Sequence, residues 1–552
     1  MIIDGAAGAL PSSDICIVGA GPVGLSLAFR CAERGLSVAI VEAGSADGSG
    51  GDIAAGPVHF TNGHHVESAV SVASGIGGTS RLWGGRCVAL DPLDFGRRGH
   101  VPMSGWPIPA DALQPYYPDA LNFLGCDPRA SVMKSRAEGD VRMDSLEHWA
   151  PEPDLGGRYR ERLVAAAGIT VITNARVSAM MVSGDGDIEG LELLTSEGRR
   201  DLQAGRYALA AGGLENTRLL LAAQERHPGK FGGREGPLGR FYAGHLTGYL
   251  GVVEFNNVET ENLLWFRKAS GGDIVRQRLM IDPPVQAANG LLNAAYWLES
   301  LSIADPSHGS GALSLVYLIF ALTGLYPRIA RGLAPATSIT PQRLYRAHWR
   351  NIRNDVAVIP GAARTLFDML LRRFRRAAGA VRNPRRRYLL RYHAEQAPNA
   401  ESIVRLRTQG EGKAAGLEID LRFGMQDFDS IVRSHEIIDR WLRREKLGHL
   451  DYIHRCDERH DAVRDQALDG YHQIGSTRMS DDPGSGVVNA DCRVHDVGNL
   501  YVAGSSVFPT GGQANPTLPA IALALRLADH LASLASDETP PSERKVEETV
   551  SS

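Results

Sequence analysis

The 552-residue chain has only six cysteines, Cys16, Cys31, Cys87, Cys126, Cys456 and Cys492, none in a Cys-x-x-Cys pair and none with histidines at zinc-finger distances. This spacing implies neither a structural metal site nor a disulfide framework, so reduced thiols in a cytosolic setting are expected. Long hydrophobic runs are also missing. One uncharged, strongly apolar stretch, Gly309 to Pro327, is broken by glycines and ends in proline. A bilayer span needs about 20 apolar residues, so this stretch reads as a buried or interfacial helix. The N-terminus carries an acid and no Lys or Arg ahead of its short apolar stretch. That is not the layout of a secretory signal, and an intracellular location is the expectation.

What is present is the composition of a folded globular chain, 43% hydrophobic and 22% charged,. Its length exceeds one ordinary core, so two domains are expected. The segment "SSDICIVGAGPVGLSLAFRCAERGLSVAIVEAG" reads as one βαβ unit. A β-branched run, Ile15 to Val18, leads into Gly19-x-Gly21-x-x-Gly24; a helical pattern follows to Arg34, and a second strand ends at Glu42. Glycines here permit a tight turn and close approach of a pyrophosphate to the helix N-terminus, and an acid about 20 residues on can accept from ribose hydroxyls. A dinucleotide site follows.

A second glycine-rich patch, "SGIGGTSRLWGGRC" from Ser74 to Cys87, suits backbone packed flat against a planar ring; by itself it is a loop of open role,. Alternating strands around residues 171–202 lead to the strand "YALAAGG" and a helix from Leu214. Near the C-terminus, "NLYVAGSSVFPTGGQANPTLPAIALALRLADHLASL" gives a strand, a Gly/Pro loop and an apolar helix from about Thr517,. His472, in "YHQIGSTRMS", could on its own be a proton acceptor, a metal ligand or a core residue,.

Together these blocks, with "WPIPADALQPYYPDALNFLG", "NARV" and "GPLGRFYAGH", resemble the glucose-methanol-choline (GMC) oxidoreductases, FAD enzymes that oxidise alcohols to carbonyls. The wording is most similar to bacterial sugar and polyol oxidoreductases and, more distantly, to pyranose oxidases. The resemblance implies His472 as the base that takes the hydroxyl proton, with Asn515 holding the same oxygen. It implies cofactor contacts from Gly19, Gly21, Gly24 and Glu42; from Gly78, Thr79, Arg81, Trp83 and Gly84 in the flavin loop; from Val177; and from Gly504, Ser505, Asn515, Pro516 and Thr517. His245, also in a shared block, is expected to be structural. Two departures stand out. Leu82 occupies the position where some relatives link FAD through a histidine, so non-covalent FAD is expected, and Gly504 stands where many carry an aspartate.

Between Arg328 and Arg391 lie 16 arginines, no lysine and two acids, Asp355 and Asp368, a local charge of about +14 in a chain at -4. Such asymmetry points to an anionic partner. The alternatives are a solvated cap, peripheral membrane contact through 309–391 on the inner face of a membrane, or an acidic substrate; no nucleic-acid-reading motif accompanies the charge. The expected fold is α/β, a Rossmann-like FAD-binding domain (12–245, completed by 470–535) interleaved with an α+β substrate domain of antiparallel sheet plus helices. The latter takes 246–469 and includes a helical Arg-rich insertion, 302–391; a disordered tail follows from 536 to 552. The expected partners are an alcohol or sugar substrate and an electron acceptor, oxygen or a quinone or carrier. Two other functions share features with this chain: a flavin monooxygenase using NAD(P)H, and a membrane-docked electron-relay flavoprotein.

Overall fold

In the computed structural model, residues 1–48, 56–134, 139–184, 186–323, 341–355, 358–375, 381–407 and 416–538 are described. Six parallel strands form the first sheet, in the order Ile2–Asp4, Ile169–Thr173, Val38–Val41, Ser13–Val18, Ala204–Leu209, Leu500–Val502. Strands buried on both faces read as continuous apolar runs, and "DICIV" and "VAIV" do so,. Chain order reverses at Ser13–Val18, whose neighbours are the next strand on one side and a strand almost 200 residues later on the other. Ligands of open α/β sheets bind at such a switch point. The chain leaves this strand through Gly19–Gly24 into the helix Pro22–Glu33, with Pro22 at the first turn, where its missing N–H has no partner to lose,. That helix packs on Thr517–Glu538, and Asp529 of the latter ties Arg30 at 2.9 Å and Arg34 at 2.8 Å.

The second large sheet is antiparallel, in the order Gly448–Tyr452, His245–Phe255, Arg387–Glu395, Ala294–Glu299, Ile274–Ile281, Val141–Trp149, Arg86–Cys87, with Arg267–Lys268 beside Ile274–Ile281. Its outer face packs on the helix Met425–Arg444 through Phe428, Ile431, Ile438 and the fully buried Trp441. Apolar burial of this extent, at about 25 cal/mol per Å², holds the helix against the sheet. A small sheet joins Ile403–Arg407, Gly416–Asp420 and Val58–Phe60.

The domain boundaries differ from the sequence expectation in four places. Ile2–Asp4 extends the parallel sheet ahead of residue 12. Arg86–Cys87 and Val141–Trp149, expected in the cofactor domain, belong to the antiparallel sheet. Arg387–Glu395 is a central strand of that sheet, so the helical insertion ends before it. The helix from Thr517 runs to Glu538, past the expected start of the tail; residues 539–552 lie outside the described residues. The first three differences share one cause: strand pairing between distant segments leaves no local mark in composition.

The insertion contributes the helices Gly311–Leu322, Pro341–Arg353 and Val358–Arg375, packed together over Ile303, Ala312, Leu313, Val316 and Ala362. Gly309–Pro327 therefore supplies a partly buried helix, as its composition suggested, up to Leu322. Its continuation, 324–340, and the side chains of Arg372, Arg373, Arg375 and Arg376 lie outside the described residues.

Candidate active site

A cleft of about 320 Å³ opens at the switch point, and a chamber of about 330 Å³ continues it. The two share Pro22, Ser71, Thr79, Tyr471, Pro516 and Thr517, so they form one elongated space running from Glu42 to His472. Gly19, Gly21, Glu42, Gly78, Thr79, Val177, Gly504, Ser505, Pro516 and Thr517 line the cleft, and Trp83, Gly84, His472 and Asn515 line the chamber.

The cleft fits a dinucleotide. A Cβ on Gly21 would meet no atom within 4 Å, so it would project into the empty space, while one on Gly24 would lie 1.9 Å from the Gly19 carbonyl oxygen. Gly21 thus keeps the cleft open to a ligand. Gly24 lets the helix lie against the turn and, contrary to the sequence expectation, faces no cleft. The unpaired N–H groups of the Pro22–Glu33 N-terminus suit a pyrophosphate. Glu42, buried, accepts from Ala20 N at 2.9 Å, Gly44 N at 2.8 Å and Gly75 N at 2.7 Å. It locks three loops around the cleft with one lone pair left for a ribose hydroxyl. Arg81 departs from its expected role as well: its guanidinium reaches back to the Ser74 carbonyl and lies against Gly48, lining neither space. Trp83 is anchored through Nε1 to the Pro153 carbonyl at 2.8 Å.

At the far end Asp469 organises the side chains and backbone around it. It accepts from the backbone of Gly470 at 2.7 Å, Tyr471 at 2.9 Å, His472 at 3.3 Å and His245 at 2.6 Å, and from His472 Nδ1 at 2.9 Å. Because Nδ1 donates to the carboxylate, the lone pair of neutral His472 is on Nε2, where Asn515 Nδ2 donates at 3.1 Å,. Burial works to raise the Asp469 carboxyl, but His472, His245 and these hydrogen bonds outweigh it and hold it at about 2. Asn515 Oδ1 is buried without a partner among the described residues, an acceptor open to a bound ligand,.

Two further histidines stand against His472. The His245 and His393 rings stack at 4.2 Å, and each meets His472 edge-on, at 4.7 and 5.2 Å. His245 Nε2 donates to the Gly512 carbonyl at 3.1 Å and His393 Nδ1 to that of Gln513 at 3.0 Å, so the pair clamps the loop that carries Asn515. Nitrogens of the three rings lie within 4.8 Å of one another. The stacked pair aims its remaining lone pairs along near-parallel planes, however, which suits a structural stack better than convergence on one ion.

This arrangement agrees with two family matches: residues 14–230 match the model described as FAD dependent oxidoreductase, and residues 340–524 that described as GMC oxidoreductase. The chain is an FAD-dependent oxidoreductase with a C-terminal GMC oxidoreductase domain. Among curated relatives, the C-glycoside 3-oxidase of Arthrobacter globiformis is 47% identical over 62 residues, 11% of this chain and 12% of that one. The paromamine 6'-oxidase of Streptomyces fradiae is 31% identical over 136 residues, 24% of each chain. These matches span at most about a quarter of the relatives' lengths. Crystal structures of the pyridoxine 4-oxidase of Mesorbium loti (TM-score 0.51, 17% identity, 94% of this chain and 98% of that one) and of a formate oxidase (0.50, 16%, 96% and 100%) share the fold.

Sequence reading of this FAD-dependent oxidoreductase missed several residues at the site. Asp469, three residues before His472, could have been found as an acid in reach of an imidazole. His393 comes from a strand 79 residues away with no motif around it. His245, read as structural, does hold a loop, but it is the loop of Asn515. Arg176, Glu215 and Arg218 line the cleft as one ion-paired group, Glu215 Oε1 lying 3.1 Å from Arg176 and 2.5 Å from Arg218.

Two outcomes follow. Gly21→Leu will fold with an unchanged circular dichroism spectrum and purify without flavin, whereas Gly24→Leu will lose thermal stability outright; flavin retention by the Gly21 variant would contradict the cleft assignment. Second, burial pushes His245 and His308 to about 3 and His435 to about 4, and drives His393 well below its usual value. Unfolded histidines near 6.5 then bind more protons than folded ones, so stability falls as pH drops from 6.5 toward 3, by up to about 1.4 kcal/mol per pH unit for each. Thermal midpoints at pH 7, 6 and 5 will decline progressively; a flat profile would refute this.

Proposed function

We propose that this FAD-dependent oxidoreductase oxidises an alcohol to a carbonyl, the substrate being a secondary hydroxyl of a sugar, glycoside or polyol. The observation that carries the reading is the Nε2 lone pair of His472, fixed by Asp469 and facing a chamber continuous with the dinucleotide cleft. Bound FAD supplies an acceptor for the two electrons and hydrogen that leave the carbinol carbon. His472 takes the hydroxyl proton at Nε2, which strengthens the alcohol as a hydride donor, and the positive charge it gains is stabilised by Asp469 at 2.9 Å,. Asn515 Nδ2, now bonded to His472, is placed to hold the same oxygen. The printed names of the relatives, a glycoside 3-oxidase and a paromamine 6'-oxidase, support a sugar hydroxyl. Leu82, half exposed on the chamber wall, offers no nucleophile, so FAD is held without a covalent bond. Oxygen or a quinone or carrier takes the electrons afterwards.

Peripheral contact of the insertion with an anionic membrane belongs to the same proposal. Tyr345 and Trp349, one turn apart, are exposed beside exposed Arg346, Arg350 and Arg353, and Ile359 and Phe367 are exposed on the next helix. Aromatics flanked by arginines suit a headgroup layer.

His472→Ala will keep its flavin yet bleach about 100-fold more slowly with sugars or polyols under anaerobic conditions, with a smaller loss for Asn515→Ala. Bleaching at the unaltered rate would sink the assignment of the base. The protein will co-sediment with anionic vesicles at low salt and lose this in Tyr345→Ser/Trp349→Ser; no sedimentation by the unaltered protein rejects the membrane contact.

A further inference from the structure

One face of the antiparallel sheet carries more positive charge than its own carboxylates balance. Arg86 stands opposite Trp149, Arg276 opposite Glu147 and Arg278 opposite Ser145, which puts the three guanidinium groups on the side of the sheet occupied by Glu147. Glu147, fully buried, accepts from Arg86 Nε and from Arg276 at 2.6 and 3.1 Å. Burial alone would raise its carboxyl, but Arg276, Arg86 and Arg278 bring it down to about 2. Three cations thus share one anion. The nearby Asp91 does not restore the balance, since it pairs with Arg142 at 3.0 Å.

Burying cations without partners is costly, and proteins keep such groups where a ligand completes them. Arg278 is fully buried, bonds to Ser145 Oγ at 2.7 Å, and leaves Nε and Nη1 without a partner among the described residues; Arg86 Nη2 is likewise buried and unpartnered among them. Arg86 reaches the reaction site. It lines the chamber with His472 and Asn515, held from behind by Glu147 and by stacking 4.1 Å over Trp297. A planar guanidinium fixed on two sides offers its remaining edge to carboxylate or phosphate oxygens.

We infer that the chamber takes an alcohol bearing an anionic group, a carboxylate or a phosphate, which Arg86 holds while the neighbouring hydroxyl faces His472. This deepens the proposed alcohol oxidation and rests on it for the chemistry, but not for the binding. Arg276 and Arg278, behind Arg86, add field rather than contact.

The test is a titration of the oxidised, FAD-loaded enzyme with glucuronate, glucose 6-phosphate and glucose, followed by the perturbation of flavin absorbance without turnover. One or both anions will bind more tightly than glucose, and which does so tells carboxylate from phosphate. Arg86→Gln will weaken the favoured anion about 10- to 100-fold and glucose by less than about 3-fold, with partial recovery in Arg86→Lys. Inorganic phosphate or acetate competing with glucose in the unaltered enzyme gives the same answer without a variant. Equal affinity for all three sugars with no competition by simple anions overturns the inference, as does an Arg86→Gln that weakens all three alike. Anion binding in an enzyme whose flavin no alcohol bleaches would keep the anion site and remove the alcohol oxidation. Bleaching by neutral sugars with no anion binding would do the reverse.

Discussion

The buried carboxylate of Asp469 is the contact on which the reaction site depends. It gathers the backbone of residues 470–472 and the amide of His245, which begins a strand of the antiparallel sheet, and it orients the imidazole of His472. One side chain therefore joins the segment that bears His472 to the sheet that walls the chamber. Five hydrogen bonds to a single carboxylate keep it ionised in a dry setting, and an ionised carboxylate at Nδ1 is what leaves the lone pair of neutral His472 on Nε2.

The cofactor end is built on the same economy. Glu42 closes three glycine-containing loops by accepting their amides, so the cleft stays open in a region with few side chains to prop it. Between the two carboxylates runs a space continuous from Glu42 to His472, with the helix Pro22–Glu33 presenting unpaired N–H groups at one end and imidazoles at the other. Charge along it is graded. Neutral, buried His245 and His393 flank His472, and Arg86, Arg276 and Arg278 form a positive wall behind the chamber.

Much of the cofactor domain was legible because its signals are local. A β-branched run, three glycines, a helix and Glu42 occur within about 30 consecutive residues, and each glycine answers to a backbone constraint that a short stretch can display. His472 and Asn515 were legible only through the resemblance; alone, neither residue type at that spacing separates a base from a core histidine. Arg81 and Gly24 were assigned to the cofactor by motif membership, yet one turns its guanidinium back to its own loop and the other packs helix on turn. A motif records which residues recur together and not which of them face the ligand.

The sequence by itself determined the parallel-sheet unit and the dinucleotide cleft, since these rest on near-neighbour geometry, while His472 and Asn515 came forward only as members of blocks whose order along the chain resembles a family's. Only the tertiary structure decided that Asp469 orients the His472 imidazole, that His245 and His393 clamp the loop of Asn515, and that Arg86 stands at the chamber with two arginines and one glutamate behind it. Apart from Asp469, three residues before His472 and outside any strand, those residues come from strands separated by tens to hundreds of positions. Their charges and lone pairs meet because antiparallel pairing sets them in register across a sheet, and register between distant strands has no signature in any short stretch of sequence.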